Sequence, residues 1–204
     1  KPDGEESWLF FQFPTPNESN NNSIGFESYC QAPEFLSDPG FYNGSIELII
    51  EQNENGYPIY YTADGSEPTI NSNIYSESIS INETTVVRAS IIHQNCLFSD
   101  VSTASYFINE DINLPIVSLT THPDNFWDWE TGIYVMGPNA SPQMPNFGAN
   151  FWEDWERPIY IEFFEDDGAL GFAQNAGVKI FGGWSRANPQ KSLAIYARLA
   201  YGAD

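Results

Sequence analysis

Between residues 30 and 108 the chain switches between short apolar runs and turn-forming clusters, with no stretch of helical period. Residues 45–52 (SIELIIEQ) form a mostly apolar strand. Residues 58–62 (PIYYT) give the next, which ends at Ala63-Asp64-Gly65-Ser66. Residues 78–81 alternate, with Ile79 and Ile81 on one face. Residues 85–92 (TVVRASII) are β-branched and apolar, as a central strand requires, and 101–107 close the set. This rhythm predicts a sandwich of about seven strands. The expected core includes Ile46, Leu48, Ile50, Ile59, Val86 and Ile91. Tyr60 and Tyr61 are adjacent in a strand, so they face opposite ways: one to the core, one to the surface.

The flanks read differently. Lys1-Pro2-Asp3-Gly4 is a turn, and Trp8-Leu9-Phe10-Phe11 is a short apolar strand. Phe13-Pro14-Thr15-Pro16-Asn17 then leads into an Asn/Ser tract, the composition of a module end and linker. From residue 109 the chain changes again. Leu114-Pro115-Ile116-Val117-Ser118-Leu119 is a strand opening a new domain. Two aromatic-acidic segments follow, 125–130 (NFWDWE) and 150–156 (NFWEDWE), separated by a Pro/Gly/Asn-rich loop over 137–149. Residues 158–164 (PIYIEFF) turn at Asp166-Asp167-Gly168 into a hairpin, with further strands at 177–181 and 192–199. The organisation predicted is therefore 1–29, the end of one module and a linker; 30–108, a β-sandwich; and 109–204, part of a second domain.

Charge changes the picture of partners. The 204 residues carry a formal net charge of -21. Residues 1–156 hold two cations, Lys1 and Arg88; Arg157, Lys179, Arg186, Lys191 and Arg198 all fall in the last 48 positions. An acidic surface repels nucleic acid and anionic lipid, and no apolar run is long enough to span a bilayer. Solvation explains the acidity most simply, with calcium binding as the alternative. His93 and His122 lack metal-ligand spacing, and two cysteines without a CxxC exclude a zinc ribbon. No residue set here is a catalytic constellation; Glu153, Asp154 and Glu156 lie too close together in sequence to face each other across a sugar.

Three resemblances add to this reading. Pro33-Glu34-Phe35, Pro39-Gly40-Phe41-Tyr42, the run 59–69 (IYYTADGSEPT), Tyr75 and 85–89 (TVVRA) resemble the chitobiase/β-hexosaminidase C-terminal-type domain. That implies an immunoglobulin-like accessory sandwich. Its topology brings the segment before the first strand to the same end as the turn at 93–99, so it implies a Cys30–Cys96 disulfide and an export-compatible, extracellular or cell-surface protein. The Pro-Asp-Gly, Trp, Pro-Thr-Pro pattern of residues 1–24 resembles the end of a lamin-tail domain.

Leu114-Pro115-Ile116-Val117-Ser118, Gly132-Ile133-Tyr134, the Ile161-Glu162-Phe163 strand that ends in Asp-Gly and, most specifically, residues 177–186 (GVKIFGGWSR), then Pro189-Gln190-Lys191-Ser192-Leu193 and Tyr201-Gly202, resemble the opening of CotH-type, spore-coat-kinase-like domains. Phe181 stands where that family often has Arg or His. The resemblance implies an incomplete α+β kinase-like domain whose magnesium-binding and catalytic carboxylates lie beyond residue 204. The fold class expected is mainly β: an immunoglobulin-like sandwich plus the β-rich front of a kinase-like domain.

Function follows in two forms. In the first, Gly182 and Gly183 let backbone approach phosphate while Arg186 and Lys191 supply charge, so the full-length protein binds ATP with Mg²⁺ and the present chain is catalytically silent. The plain alternative is a Gly-rich hairpin with paired cations. In the second, exposed Trp127, Trp129, Trp152 and Trp155 stack on sugar rings of a cell-surface glycan; buried, they would simply fill a core. The remaining partners expected are other domains of the same chain, or a protein at the cell surface.

Overall fold

In the computed structural model the structure describes residues 6, 8–13, 15–111 and 113–202. The turn expected at Lys1-Pro2-Asp3-Gly4 lies outside them, as does Pro14. The chain forms two compact units, Lys1–Glu110 and Asp111–Asp204.

The first unit begins with a small antiparallel ladder, β1 (Phe10–Phe11) on β2 (Gly25–Phe26). The Asn/Ser tract is the connection between them. Ser19 accepts from the Asn21 amide and starts a single 3₁₀ turn at Asn20–Asn22.

Seven strands follow: β3 (Gly40–Tyr42), β4 (Ile46–Leu48), β5 (Ile59–Thr62), β6 (Asn73–Ile74), β7 (Ile79–Ile81), β8 (Thr85–Ile91) and β9 (Ser102–Ile108). They make two sheets, β3-β9-β8-β5-β6 and β4-β7. β3 runs parallel to β9; the other pairs are antiparallel. The sandwich core is made where the sheets face each other: Leu48 and Ile81 of the small sheet close onto Val87, Ala104, Tyr106 and Ile108 of the large one. A neighbouring cluster joins Ile50, Ile59, Ala89 and Ile91 to the disulfide Cys30–Cys96, whose Cα atoms are 5.2 Å apart.

Two expectations are corrected here. Val86 is half-buried, and Val87 is the residue that points into the core, fully buried. The reason is the two-residue period of the strand: Val87, Ala89 and Ile91 share a face, and Val86 cannot share it with Ile91. Tyr60 and Tyr61 do not divide into one core and one surface ring. Tyr61 packs onto both clusters, while Tyr60, on the opposite face between Ile74 and Ser90, is also buried.

The predicted strand 45–52 is split. Its first part pairs with β7; its second crosses to residues 34–36, through Leu36 N–H to Ile49 O and Glu51 N–H to Glu34 O. The turn after β5 is built as its sequence requires. Asp64 Oδ1 accepts from the Ser66 amide at 3.0 Å, and Gly65 takes φ +79°.

The second unit is an antiparallel sheet, β10 (Ile116–Thr120), β11 (Arg157–Phe164), β12 (Leu170–Phe181) and β13 (Ser192–Tyr196), in that order. The hairpin turn lies at Glu165–Ala169, where Asp167 accepts from the Ala169 amide. β12 is one twelve-residue strand rather than a short return and a separate strand at 177–181. Gln174 and Asn175 interrupt its apolar pattern but pair in register with Ile161 and Tyr160. Ile159, Ile161, Ala176, Val178 and Ile180 form one buried face. Ile133, Ala149 and Phe151, from the long segment between β10 and β11, cover it. That segment holds the four-residue helix α1 (Asp124–Trp127) and a 3₁₀ turn at Asn150–Trp152.

Candidate functional site

The connection from β12 to β13 carries the residues expected to meet phosphate. Gly182 has φ +121°, a conformation that a side chain would strain, so glycine is required to leave the strand here. A 3₁₀ turn, Trp184–Ala187, follows. Arg186 folds back across it. Its Nε donates to Gly182 O at 2.8 Å, and its Nη1 donates to Trp152 O at 3.2 Å, with Phe151 O and Glu153 O each at 3.5 Å. The guanidinium thus satisfies carbonyls at the end of the Asn150–Trp152 turn, the usual place for a cation at a helix C-terminus. It ties the β12–β13 connection to the segment that covers the sheet.

Lys191 sits on the other side of the same connection. Its Nζ donates to Asn188 O at 2.8 Å and lies 4.0 Å from the Phe151 ring centroid and 5.3 Å from that of Tyr134. Its backbone amide donates to the Tyr134 hydroxyl at 2.9 Å. Desolvation lowers its pKa from the ordinary lysine value.

The direct partners of these two cations are neutral, as are those of Arg157, whereas Lys179 and Arg198 meet carboxylates. Lys179 bonds Asp154 at 2.6 Å, and Arg198 forks onto Glu156. Hydrogen bonding to the cation holds each carboxyl below its usual value. Among the described residues, no carboxylate lies within salt-bridge distance of Arg186 or Lys191. Their direct contacts are carbonyls and rings, although Arg186 lies near enough to Asp154 to help hold its carboxyl down. Phe181, the departure from the CotH-type pattern, is an exposed ring at the strand end.

The four tryptophans expected as a sugar platform fall into different surroundings. Trp127 and Trp129 are exposed, at 61% and 56%. Trp152 and Trp155 are half-buried and pack on the core of the second unit. The Trp152 indole donates to Pro145 O at 2.9 Å, and its ring meets Phe147 and Phe151. Trp127 instead tilts against Tyr134 at 5.1 Å. Two rings to which the sequence assigned no such role, Tyr134 and Phe151, prove to be the ones that hold Lys191. A Gly-Ile-Tyr triplet and an Asn-Phe-Trp triplet gave no local sign of that role.

Among the described residues no three His, Cys, Asp or Glu side chains come together to hold a metal ion, and no helix is long and apolar enough to cross a membrane. No curated protein matches the chain. Residues 37–103, which run from the approach to β3 into β9, match the family model of the chitobiase/beta-hexosaminidase C-terminal domain.

Proposed function

We propose that the chain is a segment of a secreted multidomain CotH-family protein, with an accessory β-sandwich at 30–108 and the nucleotide-facing front of a kinase-like domain at 109–204. The observation that supports the second half is the pair of cations Arg186 and Lys191, each held directly by neutral groups beside the Gly182 turn. A phosphate group needs donors and positive charge held in place, and both are available there. Arg186 is occupied as a strut, so Lys191 is the phosphate contact in this reading and Arg186 its support. The carboxylates that would hold Mg²⁺ belong to the remainder of the kinase-like domain, and this chain alone transfers no phosphoryl group. The sandwich acts as an accessory, as the name of its matching family suggests for a carbohydrate-related protein.

The test is titration of Mg·ATP into this chain and into the longer protein that carries the rest of the domain. The longer protein binds and Lys191→Ala weakens it by about 10-fold or more, the value of one charge-assisted contact. Phosphoryl transfer by the 204-residue chain alone, or no binding by a longer protein with intact carboxylates, overturns the reading.

A further inference from the structure

The disulfide end of the sandwich holds a hollow of about 180 Å³ that the nucleotide reading does not use. Cys30 and Cys96 line it together with Asn53, Asn55 and Tyr57. Backbone and side-chain bonds hold parts of its frame. Cys30 N–H donates to Leu97 O at 2.7 Å, and Leu97 N–H to Ser28 O at 2.9 Å. Asn53 closes its own turn, with Nδ2 donating to Tyr57 O at 2.8 Å and Oδ1 accepting from Tyr57 N–H at 2.9 Å. Tyr57 lies flat on His93, ring centroids 3.8 Å apart.

The lining combines amide and aromatic side chains with Ser28, Ile91 and the disulfide. Gln31, Asn55 and Asn95 bring side-chain amides, and Tyr29 and Tyr57 bring rings. No carboxylate or cation lines it, although Gln31 and Asn53 also border a second hollow that Glu34, Glu51 and Glu54 line, which disfavours an anion. The amides of Gln31 and Asn55 make no hydrogen bond to the protein among the described residues. Asn95 spends one donor on the Tyr57 hydroxyl at 3.5 Å. Tyr29 is 55% exposed, with its ring tilted on Phe10.

We propose that this pocket binds one ring of an uncharged, hydroxyl-rich ligand of the sugar class. An amide offers a donor and an acceptor side by side, which matches a pair of neighbouring hydroxyls that also donate and accept. The Tyr29 ring offers an apolar face for the C–H side of a pyranose. The absence of charge leaves no reason to select an anion or an amine. The volume holds roughly six waters at about 30 Å³ each and falls below the ~300 Å³ of typical small-molecule pockets, so it takes a single ring and not an enclosed chain. All lining residues lie between Ser28 and Cys96, so the site stands or falls independently of the Lys191 reading.

The experiment is a two-dimensional NMR titration of the chain with methyl glycosides of neutral hexoses and N-acetylhexosamines, with glucuronate and glycerol for comparison. The expected result is saturable shifts of the Gln31, Asn55 and Asn95 side-chain amides for at least one neutral glycoside, with Kd on the order of 1 mM. Glucuronate and glycerol leave them unmoved. Gln31→Ala with Asn95→Ala, both on exposed positions, keeps the amide spectrum folded and weakens binding at least about 10-fold. Trp127→Ala, in the other unit, leaves it unchanged. Retention on insoluble polysaccharide, lost in the double variant, assigns the ligand as a chain end; binding of the free glycoside without retention assigns it as a free sugar. Either supports the site. The proposal is overturned if no glycoside gives saturable shifts at these amides, if the double variant binds as well as the wild type, or if glycerol and glucuronate match the glycosides.

Discussion

Arg198 forks onto Glu156, Nε to Oε1 at 2.9 Å and Nη2 to Oε2 at 3.0 Å, and Tyr201 donates to the same Oε1 at 2.9 Å. β13 ends at Tyr196 rather than at residue 199, and Arg198, two residues on, reaches back to Glu156, next to the start of β11. Gly177 of β12 lies under this cluster, where a Cβ would collide with the Glu156 carboxylate and the Tyr201 ring. The Glu156 carboxyl is held below its usual pKa, chiefly by the Arg198 bond. A depressed carboxyl contributes stability that is complete above the unfolded value, about 4.3, and is lost as pH falls through the folded one. Urea midpoints of the second unit should therefore drop below about pH 4.3, and Glu156→Gln should remove that part of the drop. Five of the six tryptophans lie beyond residue 111, so indole fluorescence reads this unit. The effect is modest, as for other partly exposed pairs.

The disulfide predicts a different behaviour for the first unit. Cys30 and Cys96 are 66 positions apart. Cross-linking a loop of that length restricts the unfolded chain by about 4 kcal/mol in the entropic model. Reduction, or Cys30→Ser with Cys96→Ser, should lower the stability of the sandwich by about that amount. Amide exchange should accelerate across β5, β8 and β9 and stay unchanged in β11 and β12. Equal acceleration in both sheets would show that the two units do not unfold separately.

The two adjacent valines of β8 give a sharp test of the sandwich register. Val87 is fully buried against Leu48 and Ile81; Val86 is half-buried. Val87→Ala should cost about 2 kcal/mol from lost burial and an unfilled cavity, and Val86→Ala well under 1 kcal/mol. Urea denaturation followed by far-ultraviolet circular dichroism separates the two. A larger loss at Val86 would mean the strand is paired one residue out of register.

These residues also show what the sequence made legible. Strand positions followed from apolar runs bounded by turn residues, because burial and turn chemistry are local. Asp64-Gly65 and Asp166-Asp167-Gly168 were readable as turns for the same reason. The face of β8 was not, since a run of Thr-Val-Val-Arg-Ala-Ser-Ile has apolar residues at both parities and only the partner sheet decides. The unity of β12 was hidden by Gln174 and Asn175, which are tolerated because they stand opposite β11 on a ladder already closed by backbone bonds. In the candidate site, charge scarcity pointed to Arg186 and Lys191. Their partners could not be read, because Trp152 O, Phe151 and Tyr134 lie 34 to 57 positions away along the chain. The polar pocket was invisible for the same reason: Gln31, Asn55 and Asn95 have nothing in common until the disulfide and the turn at 53–57 bring them together.

Arg186 and Lys191 carry equal formal charge, and their surroundings predict unequal consequences. Arg186 bridges two carbonyls on different segments, Gly182 O and Trp152 O, with a planar fork whose geometry lysine cannot copy. Arg186→Ala leaves both acceptors without that donor and unties the β12–β13 connection from the segment covering the sheet. The expected cost is about 2 kcal/mol in the second unit, and Arg186→Lys should recover little of it. Lys191 gives one hydrogen bond to Asn188 O and rests on two rings, a contact of about 0.5–2 kcal/mol. Its ammonium is partly desolvated, so removing it also relieves a burial cost. Lys191→Ala should therefore destabilise the unit less than Arg186→Ala, leaving a folded protein in which loss of nucleotide binding can be read as loss of a contact. Tryptophan-detected urea unfolding of the three variants orders them. If Lys191→Ala proved the more damaging, Lys191 would be the strut, and the assignment of the two cations to phosphate contact and support would have to be exchanged.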